Sequence, residues 1–282
     1  MPDAALPPPR PPSGGADRAP VGSLPPPTVP PPPPPPGYVP YRTGPAPTAP
    51  LTRVRGLARW IVAAVALAGV VAVASTGIQL ALVDDARDLL AGRIDETEFE
   101  RSLRSSQLVS AVSSVLTIGA GIVTVAWMHR VSRNLRSLGR RTTWAPIMAV
   151  IGWLLPPFLY VIPLLVVREL WKASDPAVPV GDDGWRAGRT HPAVWVWWVA
   201  YGALPAIVTA VTIGSVIGAF FEGDPGATAL TQARSLDAGA PFVVPGVVAA
   251  IVAAVAWIVV VRALTDRHTT LTAEGSTGDG RG

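Results

Sequence analysis

The residue types that most often carry chemistry are sparse in this chain and badly spaced for it. Of the three histidines, His129, His191 and His268, no two stand at metal-ligand spacing. There is no cysteine, which excludes disulfides, thiolate metal sites and cysteine nucleophiles. Asp95, Glu98 and Glu100 could be drawn as a cation site. They belong, however, to a mixed run of seven carboxylates and four arginines between Asp84 and Ser106, which reads as a solvated face. No Ser–His pair, HExxH or aspartate pair falls inside an apolar segment, so no catalytic, cofactor or metal residue is assigned and the chain reads as a non-enzyme. Gln79 is the most polar side chain within a span. The pattern that stands out is arginine beside apolar sequence: Lys172 is the sole lysine among 23 cationic residues.

Stepping outward from those residues, the composition is that of a chain solvated by lipid. Hydrophobic residues make up 49% and charged ones only 15%, far below the ~25% of a soluble domain. Four segments long enough to cross a ~30 Å hydrocarbon core run at about 60–83, 107–128, 193–221 and 242–261. Arginines flank them, so anionic lipid headgroups are the expected partner of the basic face, and nucleic acid is not. Ser106, Ser110 and Ser114 share one face of the second span, with Ser113, Thr117 and Gly121 beside them. They predict a small-residue packing seam whose hydroxyls bond back to their own helix. Gly214 and Gly218 offer a further close-packing face, which would suit a homo-oligomer.

A fifth apolar segment, 147–167, contains Pro156, Pro157 and Pro163. Each interior proline costs a helix about 3 kcal/mol and frees a carbonyl that lipid cannot satisfy, so the segment is either kinked or re-entrant. Arginine counting separates the two. Re-entry puts 18 Lys/Arg on the cytoplasmic side against 5 outside, whereas a full crossing gives 12 against 11. The positive-inside rule has content only in the first case, with both termini cytoplasmic and 84–106 and the acidic, loop-like 222–240 outside. The reading is therefore an all-α integral membrane protein with four transmembrane helices and a broken segment. Gly92 is expected to break a short helical hairpin within 84–106.

Residues 1–50 hold 21 of 32 prolines, including the run Pro30–Pro36, and are expected to form a disordered, extended tail. No apolar h-region precedes Leu57, so the start does not read as a secretory signal. A protein partner with an aromatic groove could read PPGYVPYR, but a solvated spacer is the plainer reading. The membrane domain spans 57–263, and 264–282 reads as a second disordered tail.

The centre of the chain carries linked motifs. HRVSRNLRSLG (129–139) follows a span, Trp144 and Trp153 stand nine apart ahead of Pro156 and Pro163, RELWKASDP (168–176) closes the segment, and VWVWW (194–198) follows. Together these resemble the bacterial membrane-protein family "domain of unknown function 4328", common in actinobacteria, over roughly Leu57 to Val261. Pro157 beside Pro156 departs from the family pattern. The resemblance implies an integral membrane protein of the cell envelope and no particular activity. Arg130, Arg133, Asn134, Trp153, Pro156, Pro163, Glu169 and Trp171 are the motif residues expected to hold structure. Glu169 is expected to pair with Arg133, or else Arg130, with Trp171 as an interfacial anchor. Two functions follow: a membrane module acting through helix packing and partner or lipid contact, or a transporter or channel component using the broken helix at 147–167.

Overall fold

A computed structural model describes residues 47–153, 160–204 and 229–274. The expected tail therefore lies almost wholly outside the described residues, as do Pro156, Pro157, the span from 205 onward with Gly214 and Gly218, and 275–282.

Long runs of Ala, Val, Leu and Ile give three long helices: α1 (Arg55–Leu90), α2 (Glu96–Ser137) and, after shorter elements, α6 (Ala229–Thr272), which continues through Pro241 and Pro245. Each is long and apolar enough to cross a membrane, and no strand occurs among the described residues. At 1.5 Å per residue they run about 54–66 Å, well past a ~30 Å core. Their outward faces are apolar at the depth of the spans: Leu108, Val115 and Phe242 are about 70% exposed. Lipid, not water, suits that surface.

α1 lies between α2 and α6, antiparallel to both. At one end, Arg87 Nε donates to Asp237 at 2.7 Å; at the other, the Glu274 carboxylate reaches the start of α1. The molecule thus has an acidic end, around 84–104, and a basic end, where α1 begins and α2 and α6 finish. The acidic hairpin is broken at Gly92 (φ +68°), as its sequence predicts. Its arms are not short, because they continue the spanning helices without interruption. Asp95 caps α2 by accepting from Glu98 N at 2.8 Å. Leu89, Phe99, Ile94 and Leu103 turn inward and enclose a small core with Leu82, Ala86, Ala233 and Leu236.

Two expectations at α6 are corrected. Residues 229–240 are helical instead of loop, because Ala233 and Leu236 bury against the hairpin. Residues 264–272 are helical too, where a disordered tail was expected. The buried stripe Trp257, Val260, Val261, Leu264, His268 and Leu271 continues at helical spacing, and polar residues on the opposite face mask it in the composition.

Between α2 and α6 the chain builds a layer at the basic end from α3 (Met148–Ile151), α4 (Ile162–Ala173), a 3₁₀ turn (Gly184–Ala187) and α5 (Pro192–Trp198), which runs into a π turn (Val199–Ala203). Pro163 stands in the first turn of α4, where its missing N–H costs nothing, so it opens a helix instead of breaking one. A Cβ on Gly152 would lie 2.5 Å from Ile162 Cγ2, so the end of α3 and the start of α4 touch only because residue 152 is glycine. The larger core, containing Trp127, Met128, Leu135, Leu170, Trp171, Trp257 and Leu264, lies at this end.

Candidate functional site: the polar junction at the basic end

Within that core is a run of buried polar side chains, one from each element that meets there. Asn134 on α2 is 2% exposed, and its carboxamide is fully used. Oδ1 accepts from Thr52 N (2.9 Å) and Thr52 Oγ1 (3.1 Å), while Nδ2 donates to Thr52 O (2.8 Å) and His268 Nε2 (3.2 Å). The Thr52 amide can only donate, which fixes Oδ1 toward it and Nδ2 toward the imidazole. His268 Nε2 therefore accepts, and Nδ1–H faces Ser174 Oγ at 3.4 Å. The segment before α1 is thus joined through α2 and α6 to the end of α4. His268 is fully buried, and burial pushes its pKa down to about 4, so it is neutral.

Charged residues around this junction bind backbone groups. Arg140, 2% exposed, donates to the carbonyls of Asp175 (3.1 Å), Val178 (2.5 Å) and Asp182 (3.3 Å), clamping the loop after α4; burial lowers its pKa. Glu274 accepts from Val54 N (3.1 Å) and Arg55 N (3.2 Å), capping α1 where no side chain of that helix does. Glu169 accepts from Thr143 N (2.5 Å) and Trp144 N (3.0 Å). The carboxylate at the far end of the 147–167 segment thus holds the backbone just before its near end.

That geometry corrects the expected Glu169–Arg133 pair. Glu169 makes no ion pair among the described residues; Arg133 is exposed, and Arg130 donates instead to Arg53 O at 3.3 Å. Two adjacent backbone amides offer a carboxylate better-directed donors than an exposed guanidinium. Trp171 is also not a lipid anchor, for it is 6% exposed. Its Nε1 donates to Arg189 O (3.1 Å), its ring meets His191 at 4.9 Å, and Arg267 lies over it at 4.5 Å while pairing with Asp175 at 2.8 Å. Trp153 packs on Trp197 and Tyr201, with centroids at 6.3 and 5.8 Å. Of the motif residues, the structure brings Asn134, Glu169 and Trp171 into one layer, leaves Arg130 and Arg133 on its surface, and does not describe Pro156. Thr52, Arg140, His268 and Glu274 join this layer from outside the motifs, and Ser174 stands within RELWKASDP but not among its expected structural residues. Only His268 had a visible signal, its helical spacing from Val261 and Leu264.

Above the layer is a cavity of about 560 Å³ between α1, α2, α6 and the π turn. Trp153, Trp197, Tyr201 and Trp257 form one end, and glycines and alanines such as Gly69, Gly121 and Ala253 form the walls. Among the described residues, its only polar side-chain groups besides the aromatic residues' own are the hydroxyls of Thr117 and Thr124.

An all-helical membrane protein with a packed polar junction at one end is the class these features define. Within that class, the chain belongs to the family described as Domain of unknown function (DUF4328), which it matches over residues 91–266. Comparison with curated proteins and with solved structures gave no match.

Proposed function

We propose that this protein is a non-enzymatic multi-pass module of the bacterial inner membrane, with four crossings, a re-entrant segment at 147–167 and both termini in the cytoplasm. The observation that carries the reading is the Glu169 carboxylate on the amides of Thr143 and Trp144, which ties the two ends of the broken segment together at the basic end. A segment whose ends meet returns to the side it left. Connectivity calls for one further crossing, since Pro192–Trp198 packs at the basic end and Ala229–Leu236 at the acidic end. Arg53, Arg55, Arg59, Arg133, Arg141, Arg189 and Arg262 are exposed around the basic end without an ion pair among the described residues, a face suited to anionic headgroups on the cytoplasmic side.

Support for a structural module comes from how the charged and polar groups of the junction are used: Asn134, Arg140, Glu169 and Glu274 all bind backbone. A transporter would place half-helix ends against a polar cavity. Here the cavity beside Trp153 is walled by indoles and alanines, a lining that offers no path to ions or polar solutes. Reporter fusions at Met1 and Gly282 test the topology, and both are expected to report the cytoplasm. A C-terminal reporter active outside would restore a full crossing by 147–167.

A further inference from the structure

A second cavity, about 210 Å³, lies between α1, α2 and α6 toward the acidic end, lined by Ser75, Gln79, Ser106, Ser110 and Ser113 among others. Its hydroxyls divide into two sets. Ser75 and Ser113 bond back to Ala72 O and Val109 O, as do Ser114 and Thr117 farther along α2. Ser106 and Ser110 do not bond back. Ser106 is 8% exposed, has no hydrogen-bond partner, and faces the cavity. Its Oγ is open to the cavity and free to donate, so the site suits something that accepts a hydrogen bond.

Both cavities share Ala72, so they form one seam along α1 from Val65 to Gln79, about 21 Å at the helical rise. One end is polar and uncharged; the rest is apolar. Gly69, Gly121 and Gly246 have no atom of the described residues within 4 Å of a built Cβ, so among those residues the wider part of the seam is open space and not tight packing. Ions are excluded by the lack of charge on the walls, and the apolar stretch of the seam does not hold water. A ligand that fits has an acceptor without a donor joined to a long hydrocarbon chain. Ser106 stands at the head of the 107–128 span, the level at which lipid esters meet hydrocarbon.

We infer that this seam binds one acyl chain of a membrane glycerolipid, with its ester carbonyl accepting from Ser106 and its tail running past Gly69 and Gly121 toward Trp257. The inference rests on the membrane placement of the three long helices and not on the topology of 147–167, which the reporter fusions read separately.

The test uses the full chain, purified in detergent, stripped of lipid and titrated with a phosphatidylcholine carrying a diazirine within one acyl chain. Saturable labelling at one lipid per chain is expected, with adducts on seam residues such as Ala72 and Ala253. Ser106→Ala should weaken binding roughly three- to tenfold, the worth of one hydrogen bond. Gly69→Leu and Gly246→Leu, which fill open space, should abolish saturable labelling while helicity by circular dichroism is kept. Adducts confined to outward residues such as Leu67, Val115 and Val248, unchanged by these substitutions, would overturn the site. So would an absence of adducts with cysteines introduced at 69 and 214 joining within one chain, because the chain itself would then fill the seam.

Discussion

The buried imidazole of His268 makes stability depend on pH. Its pKa falls to about 4 in the fold, against ~6.5 when unfolded. Between those values the unfolded chain binds more protons, so stability is complete above about pH 6.5 and is lost as pH drops through about 4. The loss is on the order of 3 kcal/mol across the window, and His268→Phe should flatten the profile. Melting temperature measured from pH 7.5 to 4 checks this; a variant whose slope matches the parent would rule His268 out as its source. Asn134→Ala should be worse than a simple deletion, because it strands the Thr52 amide and His268 Nε2 at about 1–3 kcal/mol each. Asn134 was visible in the sequence as part of HRVSRNLRSLG. Its partners were not, because they lie 82 and 134 residues away in sequence.

Among elements, the helix ends depend on residues from elsewhere in the chain. α1 has no cap of its own and takes Glu274. Glu274→Ala should therefore cost about 0.5–2 kcal/mol and speed amide exchange at Val54 and Arg55, while leaving the hairpin at Gly92 unchanged. Glu274 is held by the way α6 ends. Its N–H bonds to Thr269 O (3.1 Å) around Ala273, which has φ +55°. Ala273→Gly should relieve up to about 1–2 kcal/mol of left-handed strain and raise the melting temperature. A lowered value would mean that the Ala273 methyl has packing worth more than the strain. The broken segment was legible from its prolines, and Pro163 does begin a helix. Glu169 stands out in the sequence, but its partners, the amides of Thr143 and Trp144, do not. Charge patterning suggests side-chain partners, whereas the chain used two amides that are invisible in a sequence. Glu169→Gln keeps an acceptor and should loosen the 142–146 turn only partly. Glu169→Ala should expose that turn to proteolysis, and reversal of Arg133 should rescue neither.

At the scale of the whole molecule, the hydropathy pattern locates the long helices and the arginines mark one end, because lipid enforces both patterns along the chain. What it hides is how far the helices extend past the membrane. The arms at 84–104, 229–240 and 264–272 mix charge with an apolar stripe, and average composition cancels the stripe. The result is a molecule with two cores of unequal size, separated by a middle of small residues and cavities. The large one, at the basic end, contains Trp127, Leu135, Trp257 and Leu264; the small one centres on Phe99 against Leu82, Leu89 and Ala233. Cooperative units of unequal burial open separately. The acidic hairpin should therefore exchange its amides first, and Phe99→Ala, at about 3–5 kcal/mol for a fully buried ring, should accelerate exchange over 82–103 and 229–236 alone. The exposed Arg87–Asp237 pair contributes far less there, so Arg87→Gln should scarcely register beside Phe99→Ala. Hydrogen exchange followed by mass spectrometry separates the two ends. If exchange at Val131, Leu135 and Leu264 rose in step with the hairpin in Phe99→Ala, the two cores would be one cooperative unit and this division would be wrong.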